Sequence, residues 1–414
     1  MVSLNEVVIA VLDGIQPDAF GGNEVERLKV RAAARRLLAR VETPYERAWG
    51  FCFEHPAVFA ALQTCIDLGL WKSWTAIGGG EKSIDELVDL TKPTIDTNLL
   101  RKSLTLNLSE TWLTWNTGRF FRLLAAFNVV EETGVDRFKP TPFSLAIGDE
   151  STKVRASLEA ATHHYIASGR NLPGYLAKTF YKEPTDVNVN NYSDSDPDGL
   201  NFFGRLQASP AYFEAFTGHM EAWTTWKTPW TKVYDTSRLL EGANLDNGAP
   251  FVVDVGGNTG IDITHVLAAH PDLPAGALVL QDLPEIIAKA TVDKRITAMV
   301  HDFFLPQPVK GSRAYFMHAV LHDWPDEKAK QLLGNTRDAM VKGYSKLFIY
   351  DIVLPPKGAS ISQTTMDVQM LALLSAAERT EADWKRLLAE SGFKTCKFWP
   401  DPQQYEMIIE AEVE

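Results

Sequence analysis

The chain has 414 residues, which is enough for two or three domains. Its 53 acidic and 41 basic side chains give a formal net charge of -12. That charge disfavours a nucleic-acid-binding protein, because such proteins usually present a basic face. Hydrophobic residues make up 45% and charged residues 23%, so disorder, collagen and coiled coil are excluded as the dominant state.

The sequence also gives predictions about membrane insertion, secretion and disulfide bonds. No run approaches the roughly 18 uninterrupted apolar residues that a membrane helix needs. The first basic residue is Arg27, so the beginning lacks the basic segment of a secretion signal. The three cysteines, Cys52, Cys65 and Cys396, have no metal-like spacing and favour a reducing compartment. We therefore expect a cytoplasmic protein that contacts neither membrane nor nucleic acid and holds no metal.

Residues 1–240 predict a mainly helical domain. Residues 24–39 are rich in the strong helix formers Arg, Ala and Leu, and apolar side chains recur every three or four residues over 56–71. Ser83 begins a further helix, and Glu86 three residues later completes a capping box.

Two segments of this half predict other structures. Residues 130–142 read as a short hairpin with a Pro-rich exit. Residues 184–200 are polar, acidic and rich in Asn, which predicts a surface loop or linker.

From about residue 245 to 414 the pattern changes to short apolar runs that alternate with amphipathic segments. This alternation predicts an α/β domain with a parallel sheet and helices on both faces. The predicted strands are 251–255, 277–281, 314–317, 346–350 and 405–411, and the clearest predicted helix is 326–341.

The segment DVGGNTG, which begins at Asp254, follows the first strand. Gly256 and Gly257 allow a tight turn against a ligand, and Asn258 tolerates positive φ. Asp282, at the end of the second strand, can bind both hydroxyls of a ribose. A plain structural turn and an NAD site are the alternatives. Asp254 would repel a diphosphate but can receive an ammonium through water, which favours S-adenosylmethionine.

Asp302 and Phe303 end the next stretch. An acid beside an aromatic ring could hydrogen-bond an adenine amino group and cover its ring. A capping Asp and a core Phe are the competing interpretation.

His322 lies in the segment LHDWPDE just after a predicted strand. Ligands of open α/β sheets bind at the carboxyl ends of the strands, so an imidazole there could act as a base. A single histidine is more often structural, but this one has a dense polar and aromatic setting.

Together these motifs resemble the class I S-adenosylmethionine-dependent O-methyltransferases of the plant caffeate/flavonoid type, in their fungal secondary-metabolism branch. The matching segments are DVGGNTG (254–260), LQDLP (280–284), HDFF (301–304), LHDWPDEKA (321–329), IYDIVLP (349–355) and AAERTEADWKRLLAESGF (376–393). The resemblance also covers the N-terminal half.

The resemblance implies a Rossmann-like, S-adenosylmethionine-binding domain over 245–414. It implies that 1–240 is a winged-helix-like domain through which the protein forms a homodimer. It places the general base at His322, with supporting acids at Asp351 and Glu378. A carboxylate on one ring nitrogen fixes the tautomer while the other nitrogen takes a proton from a hydroxyl.

The cofactor contacts that the resemblance implies include Gly256, Asp282, Asp302 and Phe303. His318 stands where the family usually has Lys or Arg, so that contact is an open question. Phe216, Met220 and Thr224 match a helix that lines the acceptor and methionine pockets, with an ordinary amphipathic core helix as the alternative. The implied acceptor is a small aromatic or polyketide molecule with a phenol or enol hydroxyl.

Residues 101–119 interrupt what the family has as one continuous helix. We predict either a retained intron in the gene model or a genuine protruding loop.

The alternative function is that of relatives with this fold that bind S-adenosylmethionine and promote a dehydration or pericyclic reaction without methyl transfer. Retention of His322 with both acids favours methyl transfer.

Overall fold

A computed structural model describes residues 4–16, 18–92, 102–108, 111–117, 119–245 and 248–414. The chain forms two compact units, Met1–Ala57 and Val58–Glu414. The predicted division into 1–240 and 245–414 stays a prediction. None of the described helices is both long and apolar enough to cross a membrane.

The first unit is helical. Its longest helix spans Glu24–Val41, which confirms the helix predicted over 24–39, and Asn23 caps it by accepting from the Glu26 amide. A capping box between Thr43 and Glu46 starts the next helix. The helices of this unit are α1 (Leu4–Asp13), α2 (Glu24–Val41) and α3 (Pro44–Trp49), followed by a π-helical turn at Gly50–Glu54.

The second unit begins with a small helical region and a three-stranded sheet in the order β1-β5-β4. The predicted hairpin is confirmed as the antiparallel pair β4–β5, and the predicted capping box at Ser83 is present. The helix predicted over 56–71 breaks at Gly69, whose φ is 65°, a conformation that suits glycine. The elements are α4 (His55–Asp67), α5 (Leu70–Ala76), β1 (Lys82–Ser83), α6 (Ile84–Val88), β2 (Lys102–Leu108), β3 (Thr111–Thr117), α7 (Arg119–Ala126), β4 (Val130–Gly134) and β5 (Arg137–Pro140).

The predicted insertion 101–119 falls partly on β2 and β3, whose backbones pair antiparallel. Residues 101, 109, 110 and 118 lie outside the described residues, as do residues 98–100 of the expected continuous helix. The retained intron and the genuine loop both stay predictions.

A helical region connects the small sheet to the large one. It contains α8 (Pro142–Gly148), α9 (Val154–Ala160), α10 (Ile166–Lys178), α11 (Asn191–Ser195), α12 (Phe202–Ala208), α13 (Pro210–Thr225), α14 (Trp230–Val233) and α15 (Ser237–Leu240), with a 3-10 turn at Glu150–Thr152 and a π-helical turn at Ala161–Tyr165.

The prediction of a surface loop over 184–200 is wrong at its centre. Asn190 and Asn191 are fully buried, and their side-chain amides donate to the Leu373 carbonyl at 3.3 Å and the Ala372 carbonyl at 2.7 Å. Both carbonyls belong to the last turn of a helix, where backbone oxygens lack intrahelical partners. The asparagines are therefore structural partners for a helix end.

The large sheet has seven strands in the order β13-β14-β10-β9-β6-β7-β8. The five strands from β10 to β8 are parallel, as predicted, whereas β14 pairs antiparallel with β10 and β13 antiparallel with β14. The strands are β6 (Val252–Val255), β7 (Leu278–Asp282), β8 (Ile296–Val300), β9 (Ala314–His318), β10 (Lys346–Asp351), β13 (Phe393–Pro400) and β14 (Met407–Val413).

Helices cover both faces of this sheet, and a small parallel pair lies beside it. The remaining elements are α16 (Ile261–Ala269), α17 (Pro284–Ile287), α18 (Asp326–Arg337), β11 (Val353–Leu354), α19 (Ile361–Leu374), β12 (Arg379–Thr380) and α20 (Glu381–Glu390). The sequence analysis named neither β8 nor β13. Thr297 interrupts the apolar residues of β8, Lys and Thr residues interrupt those of β13, and most residues of both strands are exposed or half-buried. The carboxyl ends of β6, β7, β9 and β10 meet at one edge, where ligands of such sheets bind.

Candidate active site

His322 lies at this edge in a one-turn 3-10 helix, Leu321–Asp323, just after β9. The ring is buried, and Nδ1 is 2.8 Å from Oε1 of Glu378 and 3.4 Å from Oδ1 of Asp351. A carboxylate can only accept, so Nδ1 carries the hydrogen and donates to Glu378. The three side chains that the sequence analysis predicted as base and supporting acids thus lie together. Nε2 of His322 is left to contact the hydroxyl of a substrate.

Arg379 holds this turn in place, and the sequence did not indicate it. Its guanidinium donates to the Leu321 and Trp324 carbonyls, each at 2.8 Å, and forms an ion pair with Asp326. The residue is buried and directly follows Glu378. Two consecutive residues, Glu378 and Arg379, therefore position the acid on Nδ1 and the backbone on either side of His322.

The charge around His322 is strongly negative. Burial alone would lower its pKa, but the carboxylates of Asp351, Glu378 and Asp323 outweigh burial and raise the pKa well above its usual value. Burial also raises the pKa of Asp323 to about 6. Asp323 was not predicted as a site residue, yet its Oδ1 lies 3.4 Å from Nε2 of His322.

The same three side chains His322, Asp351 and Glu378 bring their ligand atoms within 4.8 Å of one another, as a metal site would also require. The expectation of no metal stays a prediction.

A cavity lies beside His322 and Asp323, and the space between atoms there is about 410 Å³ when the part open to solvent is counted. Its remaining lining residues are Tyr165, Phe202, Phe216, His219, Met220, Trp223, Met366, Met370, Leu373 and Leu374. The predicted acceptor residues Phe216 and Met220 therefore line it.

Helix α13 contributes one face to this cavity. Phe216, His219, Met220 and Trp223 are spaced at i, i+3, i+4 and i+7, the spacing of one helical stripe. Thr224 lies beside this stripe and does not line the cavity, and its hydroxyl donates to the Met220 carbonyl at 3.2 Å. The sequence analysis missed His219, and it named Thr224 through the family resemblance.

The turn after β6 packs so closely against its neighbours that only glycine fits at two positions. A Cβ at Gly257 would lie 2.5 Å from the Asp254 carboxylate and 2.6 Å from Leu280. A Cβ at Gly256, whose φ is 74°, would lie 3.0 Å from Val320 and 3.6 Å from the Phe303 ring. The two glycines thus let the turn, called the cradle below, lie directly against the side chains at the end of β6.

Asp282 closes this cradle from β7. Its Oδ2 accepts from the Asn258 amide at 2.8 Å and its Oδ1 from the Leu283 amide at 2.7 Å. Asn258 has a φ of 52°, as predicted for that position. Burial raises the pKa of Asp282.

Asp254 has a buried carboxylate that lacks a strong partner. Neither oxygen makes a hydrogen bond of normal geometry within the described part of the chain, although the Ile263 amide contributes a weak stabilisation. Burial, followed by the Asp262 charge, raises its pKa well above the usual value. A bound ammonium would compensate this charge. The residues therefore fit a cofactor with an ammonium and a ribose.

Asp302 and Phe303 lie at the end of β8. The Asp302 carboxylate accepts from the Phe304 amide at 2.9 Å, which is the capping contact considered above, and both residues are half-buried. Their roles toward an adenine stay predictions.

His318 joins a buried network of charges. Its Nδ1 is 2.7 Å from Oδ2 of Asp262, and its Nε2 is 3.4 Å from Oε2 of Glu406. Glu406 also pairs with Lys227, whose Nζ lies 3.4 Å from the centre of the Trp223 ring. Burial would lower the pKa of His318, but the two acids raise it to about 10, so His318 is a cation where the resemblance expects Lys or Arg.

Comparison with known proteins decides the family. A profile described as "O-methyltransferase domain" matches residues 226–394. The chain is 41% identical to the O-methyltransferase ATR12 of Stachybotrys chlorohalonatus over 414 residues, which cover all of both chains. The chain belongs to the O-methyltransferase family.

Solved structures share the fold of this chain. The LepI complex with S-adenosylmethionine is 25% identical, covers all of both chains and has a TM-score of 0.85. A structure titled a pericyclic reaction enzyme is 24% identical, covers 99% of this chain and all of its own, and also has a TM-score of 0.85, which shows the fold. The predictions of a Rossmann-like fold, a transferase and S-adenosylmethionine as cofactor are confirmed.

Proposed function

We propose that this S-adenosylmethionine-dependent O-methyltransferase methylates a phenol or enol hydroxyl of a fungal secondary metabolite, with His322 as general base. The observation that carries the proposal is the buried contact of His322 Nδ1 with Glu378 beside an apolar cavity. With Nδ1 occupied, Nε2 is the nitrogen that can take the hydroxyl proton.

The described residues of the site have separate roles in binding the cofactor and in removing the proton. Asp254, Gly256, Gly257 and Asp282 would hold the cofactor, which supplies an electrophilic methyl group when bound. His322 Nε2 would take the proton of the acceptor hydroxyl, so that its oxygen can receive the methyl group. Glu378 keeps the ring oriented and stabilises the imidazolium that results.

The cavity walls contribute in a second way. Apolar side chains such as Phe216, Met370 and Leu374 exclude water, which strengthens the electrostatic interactions at the base and holds the acceptor near the methyl group. A small aromatic or polyketide molecule suits such walls.

The experiment is incubation with isotopically labelled S-adenosylmethionine and a panel of fungal aromatic polyketides, with product masses as the readout. We expect a gain of one labelled methyl group on at least one acceptor. A product whose mass is unchanged, or which has lost water, would contradict methyl transfer.

That outcome would instead support the second candidate, a pericyclase or dehydratase that binds S-adenosylmethionine without transferring its methyl group. It is favoured by the likeness in fold to a pericyclic reaction enzyme. The base and its acids, which methyl transfer requires, favour the first candidate.

We further propose that residues 1–240 form the winged-helix-like domain of a cytoplasmic homodimer. The three-stranded sheet β1-β5-β4 with α6 supports the winged-helix interpretation. Exposed apolar side chains of the first unit, such as Ile9, Val11 and Phe51 at 57%, 61% and 66% exposure, support a second copy as the partner. Light scattering after gel filtration should give twice the chain mass, and Phe51→Asp should shift it towards the monomer.

A further inference from the structure

His219 is a second imidazole in the wall of the cavity that His322 lines. It lies on α13 in the same stripe as Phe216, Met220 and Trp223, and the mechanism above gives it no role. Its ring makes edge contacts with Tyr165 and Trp223, at centroid distances of 5.7 and 6.2 Å, which hold it in one place.

The hydrogen bonds of Ser157 decide which nitrogen of His219 carries the hydrogen. We assign the hydrogen of the Ser157 hydroxyl to the Lys153 carbonyl at 3.3 Å, which leaves the hydroxyl oxygen to accept from His219. With this assignment Nδ1 of His219, 3.1 Å from that oxygen, is the donor. Nε2 then carries a lone pair and no hydrogen.

The ring also stays uncharged. Burial, assisted by the positive charge of Lys227, lowers the pKa of His219 to about 4. Nε2 is thus a neutral acceptor, and it makes no hydrogen bond to any of the residues that the structure describes.

An unmatched acceptor in an apolar cavity has a cost. Of the lining side chains, Phe202, Met366, Met370, Leu373 and Leu374 have no hydrogen-bond donor. Tyr165 and Trp223 have one each, and their edge contacts with the His219 ring are at centroid distances of 5.7 and 6.2 Å. When a ligand displaces water, Nε2 loses its partner unless the ligand brings an N–H or O–H. Sites of this kind reject analogues that lack the matching group more strongly than apolar sites reject a missing methylene.

We infer that His219 Nε2 accepts a hydrogen bond from a second O–H or N–H group of the acceptor, distinct from the hydroxyl that His322 deprotonates. The inference rests on the proposed function and narrows its substrate class to aromatic or enolic molecules with at least two hydrogen-bond donors. His219 is a specificity residue, and Ser157 positions it.

The experiment measures binding without chemistry. Isothermal titration in the presence of S-adenosylhomocysteine would compare 1,3-, 1,6- and 2,7-dihydroxynaphthalene with 1- and 2-naphthol. We expect at least one diol to bind roughly tenfold more tightly than its matching naphthol, as one hydrogen bond allows.

The variants separate specificity from structure. His219→Leu should abolish the preference by weakening the diol alone, and His219→Gln, whose carbonyl can accept, should restore part of it. Ser157→Ala should reduce the preference, because Nδ1 loses its acceptor. His163→Leu removes an imidazole that does not line the cavity and should leave the preference unchanged.

Three results would overturn the inference. They are a wild-type protein without any diol preference, a His219→Leu variant that weakens diol and naphthol equally, and a preference that His163→Leu also removes. Because the titration involves no methyl transfer, its outcome is independent of the product masses that test the proposed function. A protein that prefers diols but never methylates them would contradict only the proposed function.

Discussion

Nδ1 of His318 lies 2.7 Å from Oδ2 of Asp262, and both side chains are buried. The pairing raises the pKa of His318 to about 10, although burial acts in the opposite direction. Burial would raise the pKa of Asp262, but the His318 charge dominates and lowers it to about 2. The position keeps a cation although it lacks the Lys or Arg that the resemblance implies.

This pair makes stability depend on pH. A folded-state pKa near 10, against 6.5 in an unfolded chain, means that the folded protein holds a proton that the unfolded chain loses. The stabilisation is complete below pH 6.5 and is lost as the pH rises towards 10. In the wild-type protein this proton lowers the unfolding free energy as the pH rises from 7 to 8. In His318→Gln that decline should be smaller by about 1.4 kcal/mol per pH unit.

Urea denaturation of both proteins at several pH values checks this. Burial lowers the pKa of Lys227 to about 8, so Lys227 acts in the opposite sense as the pH approaches and passes 8, and the window stops there. His270→Gln is the control: burial lowers the pKa of His270, which is mostly uncharged in both the folded and the unfolded state over this window. An unchanged slope for His318→Gln would refute the charged pair.

His322→Ala should leave cofactor binding intact and lower the methylation rate by roughly 10²–10⁴-fold, because the hydroxyl loses its base. Calorimetric titration with S-adenosylhomocysteine and a single-turnover methylation assay measure the two effects separately. Near-normal methylation rates in the variant would show that His322 is not the base.

The carboxylates around His322 should control the pH profile of methylation. The base acts only when unprotonated, and its pKa is well above 6.5, so the rate should rise with pH on the alkaline side of neutrality. Glu378→Gln removes one negative charge and should move this rise to lower pH, while slowing the plateau rate roughly 10²-fold through loss of orientation.

Glu390→Gln is the matched control for that variant, because Glu390 is exposed and forms its ion pair with Lys330 and not with His322. Its profile should coincide with that of the wild-type protein. A Glu378→Gln profile that rises at the same pH as the wild type would contradict the assigned role.

Gly257→Ala should lower cofactor affinity by roughly tenfold or more. The new Cβ would meet the Asp254 carboxylate at 2.5 Å, so either the turn or the acid must move out of the cradle. Titration with S-adenosylhomocysteine measures the loss. Gly334→Ala, in α18 with no atom within 4 Å of the new Cβ, should bind normally and gain up to about 1 kcal/mol of stability.

The predictable part of the site consists of residues next to strand ends. Asp254, Asp282, His322 and Asp351 each sit within a few residues of a short apolar run, and parallel strands bring such positions to one edge. Local pattern and topology were sufficient for Asp254, Asp282 and His322. The family resemblance added Asp351 and Glu378.

The residues that were missed depend on contacts between distant parts of the chain. Lys227 and Glu406 are 179 residues apart, and Asn191 meets Ala372 across 181 residues. Neither pair has a spacing that a periodicity could reveal. His219 was missed for a different reason, since an isolated histidine on an amphipathic helix gives no sign of which stripe faces a cavity.

The base and the walls around it belong to different elements. Arg379 and Glu378 clamp the turn of His322 to β12, whereas most of the wall comes from α13 and α19. Side chains on those helices can therefore change without disturbing the proton-abstracting nitrogen. Regioselectivity, meaning which oxygen of a polyhydroxylated compound reaches that nitrogen, then becomes a property of the helices, and relatives can be retargeted to new compounds while the reaction itself is retained.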